Sequence, residues 1–100
     1  MSLDFKDKVA IVTGSGNGIG KGYALELAKR GAKVVVNDLG GTVDGSGGSL
    51  SAADAVVQEI ETAGGEAMAN GANVAKQEDV IAMVEATREK WGRVDILMKS

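Results

Sequence analysis

The sequence predicts one α/β domain built on a parallel sheet that is covered by helices on both faces. Four short aliphatic runs alternate with three segments of helical periodicity, which gives the order βαβαβαβ. Runs such as Val34-Val35-Val36 contain no polar residue, as is typical of strands covered on both sides. The predicted strands cover residues 8–13, 33–38, 66–70 and 94–98, and the predicted helices cover residues 19–30, 52–62 and 76–91.

The first strand is predicted from an aliphatic run rich in β-branched residues, and the first helix from helix-forming residues that follow a glycine-rich turn. Ile19, Tyr23 and Leu27 are spaced four residues apart, so we expect them on the buried face of this helix. Tyr23 is therefore predicted to be a core residue. Gly31 ends the helix, and the second strand follows at once.

The second helix carries signals at both ends. Ser51 is a predicted N-cap with Asp54 three residues on, and Gly64-Gly65 ends the helix. The glycine-rich stretch before it, residues 40–49, is predicted to be a surface loop, with a direct role in ligand binding as the alternative. Apolar residues recur at i, i+3, i+4 and i+7, so one stripe of the helix is predicted to be buried: Ala53, Val56, Val57 and Ile60.

The third strand is predicted mainly from its position between two helices. The third helix has acidic residues in its first turn and basic residues in its last, which matches the helix dipole. Gly92 ends this helix, and the fourth strand follows. One side of the helix is predicted to be buried and consists of Val80, Met83, Val84, Thr87 and Trp91.

Composition and charge exclude several classes of protein. The formal net charge is −3 and the basic residues form no cluster, which argues against nucleic acid or an anionic membrane as a partner. The sequence contains no cysteine and no histidine, so disulfides and thiolate chemistry are excluded and no metal site is predicted. No apolar stretch approaches the roughly 18 residues of a membrane span, and the first residues lack the apolar core of a secretory signal. We therefore predict a cytoplasmic location.

The stretch VTGSGNGIG, residues 12–20, lies between the first strand and the first helix. Glycine lets a phosphate approach the backbone, and the first N–H groups of a helix point at such an anion, so this layout predicts phosphate binding. A P-loop is excluded because Ser15 stands where its first glycine is needed, and the common G-x-G-x-x-G fingerprint fails at Ile19. The spacing that fits is Thr-Gly-x-x-x-Gly-x-Gly, formed by Thr13, Gly14, Gly18 and Gly20.

Asp38 ends the second predicted strand, 18 residues after Gly20. This separation is close to the roughly 20 residues expected of a carboxylate that binds the adenosine ribose of a dinucleotide. The same carboxylate repels a 2′-phosphate, and neither Ser15 nor Leu39 supplies a cation to offset that repulsion, so NAD is favoured over NADP. The alternative is an acidic residue that ends a strand in a solvated turn.

Together these features resemble the short-chain dehydrogenase/reductase family, whose glycine motif has the spacing found at residues 13–20. Asp38 and the segment GRVDIL before the fourth strand continue the resemblance, which covers nearly the whole chain. Asn73-Val74 follows the third strand where the family usually has Asp-Val. Within the family, VVVNDLGG, the glycine-rich loop and SLSAADAVVQEI are most similar to the 3-hydroxyacyl-CoA dehydrogenase domains of multifunctional β-oxidation enzymes.

The resemblance implies a Rossmann-type, doubly wound fold with strand order 3-2-1-4, in which residues 1–100 are the NAD-binding N-terminal half of a dehydrogenase. NAD would lie at the switch point between strands one and four, with its pyrophosphate over the start of the first helix. Asn73 would hydrogen-bond the adenine edge and Val74 would pack on its face; the alternative for Asn73 is a turn residue that caps the third helix. The predicted cofactor-binding residues are Gly14, Asn17, Gly18, Ile19, Gly20, Asp38, Leu39, Asn73 and Val74.

The resemblance also implies a reaction. Members of the family transfer hydride between NAD and a secondary alcohol or ketone, and the finer similarity points to a 3-hydroxyacyl thioester, fatty acid metabolism and a homo-oligomer. The family's catalytic Asn, Ser, Tyr and Lys would lie beyond residue 100, so no catalytic residue is predicted within these residues. Tyr23 does not match the family's Tyr-x-x-x-Lys pair, because Leu27 stands at the lysine position.

Two alternatives stay open. An S-adenosylmethionine-dependent methyltransferase also combines a Gly14-x-Gly16-x-Gly18 pattern with an acidic residue at the end of strand two. Such proteins usually carry an acidic residue where Val12 stands, and Thr13 and Gly20 favour the dehydrogenase. The second alternative is a nucleotide-binding fragment without catalytic activity.

Overall fold

Strands and helices alternate along the chain in the computed structural model, which describes residues 5–16, 18–38 and 52–99. The predicted order βαβαβαβ is confirmed. The elements are β1 (Val9–Thr13), α1 (Gly18–Lys29), β2 (Lys33–Asn37), α2 (Ala52–Thr62), β3 (Ala67–Asn70), α3 (Gln77–Trp91) and β4 (Ile96–Lys99).

The strands form one parallel sheet in the order β3-β2-β1-β4, as the sequence predicts. In the middle of the sheet Ile11 pairs with Val35 on one side and with Leu97 on the other. Because all strands run in the same direction, their carboxyl ends meet at one edge. Polar residues stand at this edge where β1, β2 and β3 end, namely Thr13, Asn37 and Asn70.

Helices cover both faces of the sheet, so the doubly wound architecture is confirmed. On one face, α1 and α2 pack against alternate residues of β1 and β2, and Val12, Val34, Val56 and Ile60 belong to this part of the core. On the other face, Met83 of α3 packs with Ile11 and Val35. The β1 residues are buried throughout, which explains their unbroken aliphatic run.

The predicted buried face of α1 is partly wrong. Tyr23 is 46% exposed and Ile19 is 74% exposed, so Tyr23 is not a core residue. The residues of α1 that are buried are Gly20, Ala24 and Leu27. A helix turns by about 100° per residue, and a spacing of four therefore drifts by about 40° at each step. The drift carries Ile19 and Tyr23 away from the stripe that faces the sheet, where Gly20 and Ala24 lie beside Leu27.

The other helices agree more closely with their patterns. Ala53, Val56 and Ile60 of α2 are buried, and Val57 is half-buried. Ser51, the predicted N-cap, lies outside the described residues. Met83 and Thr87 of α3 are buried, while Val80, Val84 and Trp91 are half-buried on the same side. At the end of α3, the N–H of Gly92 donates to the carbonyl of Arg88 at 2.7 Å, which confirms the predicted stop.

β4 begins at Ile96, two residues later than predicted. Asp95 connects the preceding turn to β1: its Oδ2 accepts the N–H of Val9 at 2.9 Å, and its own N–H donates to the Val9 carbonyl at 2.9 Å. Arg93 donates to both carboxylate oxygens, at 2.8 and 2.7 Å. The Arg93 hydrogen bond, followed by the one from Val9, holds the pKa of the Asp95 carboxyl below its usual value.

Candidate functional site

The predicted site residues that the structure describes lie on three segments at the carboxyl edge of the sheet. The glycine-rich loop follows β1, Asp38 follows β2, and residues 71–74 follow β3. In open α/β sheets, ligands bind outside the carboxyl ends of the strands, where the strand order reverses. Here the order reverses between β1 and β4, and the glycine-rich loop lies at that point.

Ser15 anchors the start of the glycine-rich loop. Its side chain is fully buried, its Oγ donates to the carbonyl of Val12 at 2.6 Å, and its N–H donates to the carbonyl of Asn37 at 2.9 Å. Gly14 before it has a φ of 62°, a conformation that residues with a Cβ rarely adopt. The loop is therefore attached to the end of β2 and leaves β1 through a turn that requires glycine.

Gly16 brings the loop and Asp38 into direct contact. Its N–H donates to Asp38 Oδ2 at 2.8 Å. A Cβ on Gly16 would clash with the same oxygen and would lie 2.8 Å from the Cβ of Ala52, so a larger residue here would displace its neighbours. Each carboxylate oxygen has two lone pairs, which leaves Asp38 further capacity to accept hydrogen bonds. Gly16 is absent from the predicted cofactor residues, because the family motif assigns it no fixed role.

The start of α1 faces open space. A Cβ on Gly18 would meet nothing within 4 Å, and the side chain of Ile19 is 74% exposed. Gly20 is buried beneath them. No acidic residue stands in the first turn of α1, and the first N–H groups of a helix suit an anion. Asn17 and Leu39 lie outside the described residues.

Asn73 and Val74 lie in the turn between β3 and α3. Asn73 Oδ1 accepts the N–H of Ala75 at 2.9 Å, and the N–H of Asn73 donates to Asp79 Oδ2 at 3.0 Å. The N-cap residue of α3 is Lys76, which makes no side-chain cap bond. Asn73 thus closes a turn before the helix instead of capping it. Val74 is 47% exposed at the same edge and offers an apolar surface.

A cavity among the described residues lies elsewhere. It has a volume of about 680 Å³ and is lined by residues of α1 and α2 and by residues next to the amino ends of β2 and β3. Gly31, Lys33, Gly64 and Glu66 are among its lining residues, so it opens at the edge opposite Asp38. Within the described segments, no group of acidic residues is arranged to hold a metal ion. None of the described helices combines the length and apolarity needed to span a bilayer.

Comparison with protein families identifies the family to which this chain belongs. The family model of short chain dehydrogenases matches residues 8–100. The chain therefore belongs to the short-chain dehydrogenase family, and the methyltransferase alternative receives no support.

Similar proteins and structures extend this finding. Peroxisomal multifunctional enzyme A of Dictyostelium discoideum is 59% identical over 100 residues, which cover 100% of this chain and 22% of that protein. Peroxisomal hydratase-dehydrogenase-epimerase of Saccharomyces cerevisiae is 52% identical, over 99% of this chain and 11% of that protein. The chain spans less than a quarter of the length of either relative.

Solved structures show the same arrangement of elements. A short chain dehydrogenase from Mycobacterium avium superimposes with a TM-score of 0.87 at 47% identity, covering 95% of this chain and 33% of that one. A 7α-hydroxysteroid dehydrogenase complexed with NADH and 7-oxo glycochenodeoxycholic acid gives a TM-score of 0.82 at 37% identity, covering 94% and 33%.

Proposed function

We propose that this chain binds NAD and forms the cofactor-binding part of an oxidoreductase that acts on a secondary alcohol or ketone. The observation that carries the proposal is the bond from Gly16 N–H to Asp38 Oδ2, 2.8 Å long. The glycine-rich loop and the Asp38 carboxylate thus lie side by side, which supports phosphate binding by the loop and ribose binding by the carboxylate within one dinucleotide. When bound, the oxidised cofactor would accept a hydride and the reduced cofactor would donate one.

The residues at this edge fit a dinucleotide in three parts. The open first turn of α1, at Gly18 and Ile19, suits the pyrophosphate. Asp38 suits the adenosine ribose, whose hydroxyls donate hydrogen bonds to a carboxylate. The exposed face of Val74 suits the adenine ring, with the Asn73 side chain at its edge. Asn17 and Leu39 stay predicted contacts.

Asp38 favours NAD over NADP. A 2′-phosphate on the ribose would bring a second negative charge against this carboxylate, and like charges in close contact are costly. No basic residue precedes Gly18 in the loop, since residues 13–17 are Thr, Gly, Ser, Gly and Asn. The segment therefore lacks a cation that would neutralise the extra phosphate.

The relatives support a finer substrate class. Two of the most similar proteins are peroxisomal multifunctional enzymes, one of them named as a hydratase-dehydrogenase-epimerase. We infer that the parent enzyme oxidises a 3-hydroxyacyl thioester in fatty acid metabolism, as a homo-oligomer. The cytoplasmic location stays a prediction. Because these relatives are named as peroxisomal, the peroxisome is the alternative location to test.

Calorimetric titration tests the proposal most directly. The complete protein that carries this chain is titrated with NAD, NADP and S-adenosylmethionine, and we expect binding of NAD well ahead of the other two. Turnover of a 3-hydroxyacyl thioester with NAD then separates an enzyme from a nucleotide-binding protein without activity. Tighter binding of S-adenosylmethionine than of NAD, or no binding of either, would contradict the proposal.

A further inference from the structure

Asn37, the last residue of β2, connects the two loops of the proposed site. Its side chain is only 2% exposed. Its carbonyl accepts the N–H of Ser15 in the glycine-rich loop at 2.9 Å. Its Nδ2 donates in the other direction, to Asn70 Oδ1 at 3.1 Å and to the carbonyl of Ala72 at 3.1 Å. One residue thus contacts the segment after β1 and the segment after β3.

Asn70 is the acceptor at the centre of this network. Its Oδ1 receives the N–H of Ala72 at 2.8 Å as well as the Nδ2 of Asn37. Its carbonyl receives the N–H of Asp38 at 3.1 Å. The end of β3 and the segment after it are therefore hydrogen-bonded both to Asn37, the last residue of β2, and to Asp38, the next residue.

Strand pairing alone does not require this amide. The β2–β3 ladder already aligns Val36 with Ala69 and Asn37 with Asn70. The positions before Asn37 in β2 are filled by valine, and a buried amide must recover its desolvation cost through hydrogen bonds. Asn70 is the last paired residue of β3, but the second acceptor, the carbonyl of Ala72, lies beyond the strand. The amide of Asn37 therefore extends the attachment from the sheet into the loop that follows β3.

We propose that Asn37 is a positioning residue for the adenosine half of the cofactor, a role that rests on the function proposed above. Its amide holds the β3–α3 turn at a fixed distance from Asp38, which directly follows it in the chain. Asp38 binds the ribose and Val74 the adenine, so the separation of these two groups must match the rigid adenosine unit. Asn37 itself touches no part of the cofactor.

A pair of matched substitutions tests this role in the complete protein. Asn37→Asp keeps the shape of the side chain but replaces the Nδ2 donor with an oxygen, which would face the acceptor oxygens of Asn70 and Ala72. Asn70→Asp makes the same chemical change at a position whose oxygen only accepts in this network. We expect Asn37→Asp to weaken binding of ADP-ribose by roughly tenfold or more, and Asn70→Asp to bind within about threefold of the wild type.

Thr87→Val is the control for stability. Thr87 is fully buried in α3, and its Oγ1 donates to the carbonyl of Met83 at 2.7 Å, away from the nucleotide edge. This variant loses a buried hydrogen bond, so we expect a lower melting temperature with an unchanged dissociation constant for ADP-ribose. Titrations are made well below the melting temperature of every variant.

Each outcome decides the matter. Wild-type affinity in Asn37→Asp overturns the proposal, and so does an equal loss in Thr87→Val, because binding would then follow stability alone. If Asn37→Asp does not fold, Asn70→Ala replaces it, because this variant lacks the oxygen that accepts from Asn37 Nδ2. An affinity for ADP-ribose equal to that of Asn70→Asp would then overturn the proposal. If the wild type itself binds neither NAD nor ADP-ribose, the proposed function fails instead.

Discussion

At the scale of single residues, the site depends on contacts between neighbours in space. Asp38 accepts a hydrogen bond from Gly16, and under the proposed function the same carboxylate also binds the adenosine ribose. The carboxylate therefore has two tasks, one electrostatic and one geometric. Substitutions that separate charge from hydrogen bonding can distinguish these tasks.

The first prediction compares Asp38→Asn with Asp38→Ala. The asparagine removes the charge but can still accept from Gly16, so NADP binding should improve and the preference for NAD should fall by at least about tenfold. The alanine loses both contributions, so binding of NAD should fall further. Titration of both variants with NAD and NADP measures the preference, and an unchanged ratio in Asp38→Asn would exclude Asp38 as the ribose carboxylate.

The second prediction concerns Gly16→Ala. The added methyl group would clash with Asp38 Oδ2, so the carboxylate must move away from residue 16. We expect binding of NAD to weaken by roughly tenfold or more, because a hydrogen bond to a charged group is lost. The measurement is calorimetric titration with NAD.

Gly22→Ala is the matched control for Gly16→Ala. A Cβ at Gly22 meets nothing within 4 Å, and this position lies inside α1. Alanine should therefore stabilise the helix by about 0.5–1 kcal/mol and leave the affinity for NAD unchanged. Equal affinities of the two variants would show that the Gly16 contact does not position Asp38.

At the scale of elements, the buried faces of the helices show where the sequence pattern agrees with the structure and where it does not. α2 and α3 present the predicted stripes because their apolar residues follow the helical repeat closely. The constant spacing of four in α1 is misleading, since the helix packs through Gly20 and Ala24 and leaves the larger Tyr23 exposed. A spacing of four drifts by about 40° at each step, so Ile19 and Tyr23 do not share the buried face of Leu27.

The third prediction concerns the start of β4, where Asp95 connects Arg93 to Val9. The pKa of Asp95 is lowered in the folded state from its usual value of 3.8, so the charged form is favoured by folding. Its contribution to stability is therefore present above pH 3.8 and is lost as the pH falls through the folded pKa. Asp95→Asn removes this contribution at neutral pH.

Amide hydrogen exchange measures the effect locally. At pH 7 the amides of β1 should exchange faster in Asp95→Asn than in the wild type. The two proteins are compared at equal pH, which cancels the pH dependence of the intrinsic exchange rate. The ratio of their rates should approach one as the pH falls below 3.8, because Asp95 then loses its charge. A ratio that stays constant across this range would mean that the charge of Asp95 makes no contribution.

At the scale of the whole molecule, the order of elements and the order of strands are predictable from the sequence. Aliphatic runs and helical repeats are local patterns, and the family resemblance supplies strand order. The glycine-rich loop and Asp38 are predicted in the same way. Gly16 and Asn37 are not, because their importance comes from hydrogen bonds between segments that are 22 and 33 residues apart. No local pattern records such contacts.

The last prediction concerns the outer edge of the sheet. Among the described strands, β4 pairs with β1 alone, and Leu97 is 51% exposed beside this edge. Unpaired strand edges with apolar side chains promote association between chains. A polypeptide limited to residues 1–100 should therefore self-associate as its concentration rises, and Leu97→Lys should shift it towards monomer because a charge opposes edge pairing.

Ile81→Lys provides the control, since Ile81 is 50% exposed on α3 and not on the edge strand. Sedimentation velocity over a range of concentrations compares the three proteins, and circular dichroism confirms that each is folded. Association should fall in Leu97→Lys and persist in Ile81→Lys. A wild type that stays monomeric at every concentration would show that the β4 edge does not promote association. An equal effect of both lysines would show that general surface hydrophobicity, and not the β4 edge, governs it.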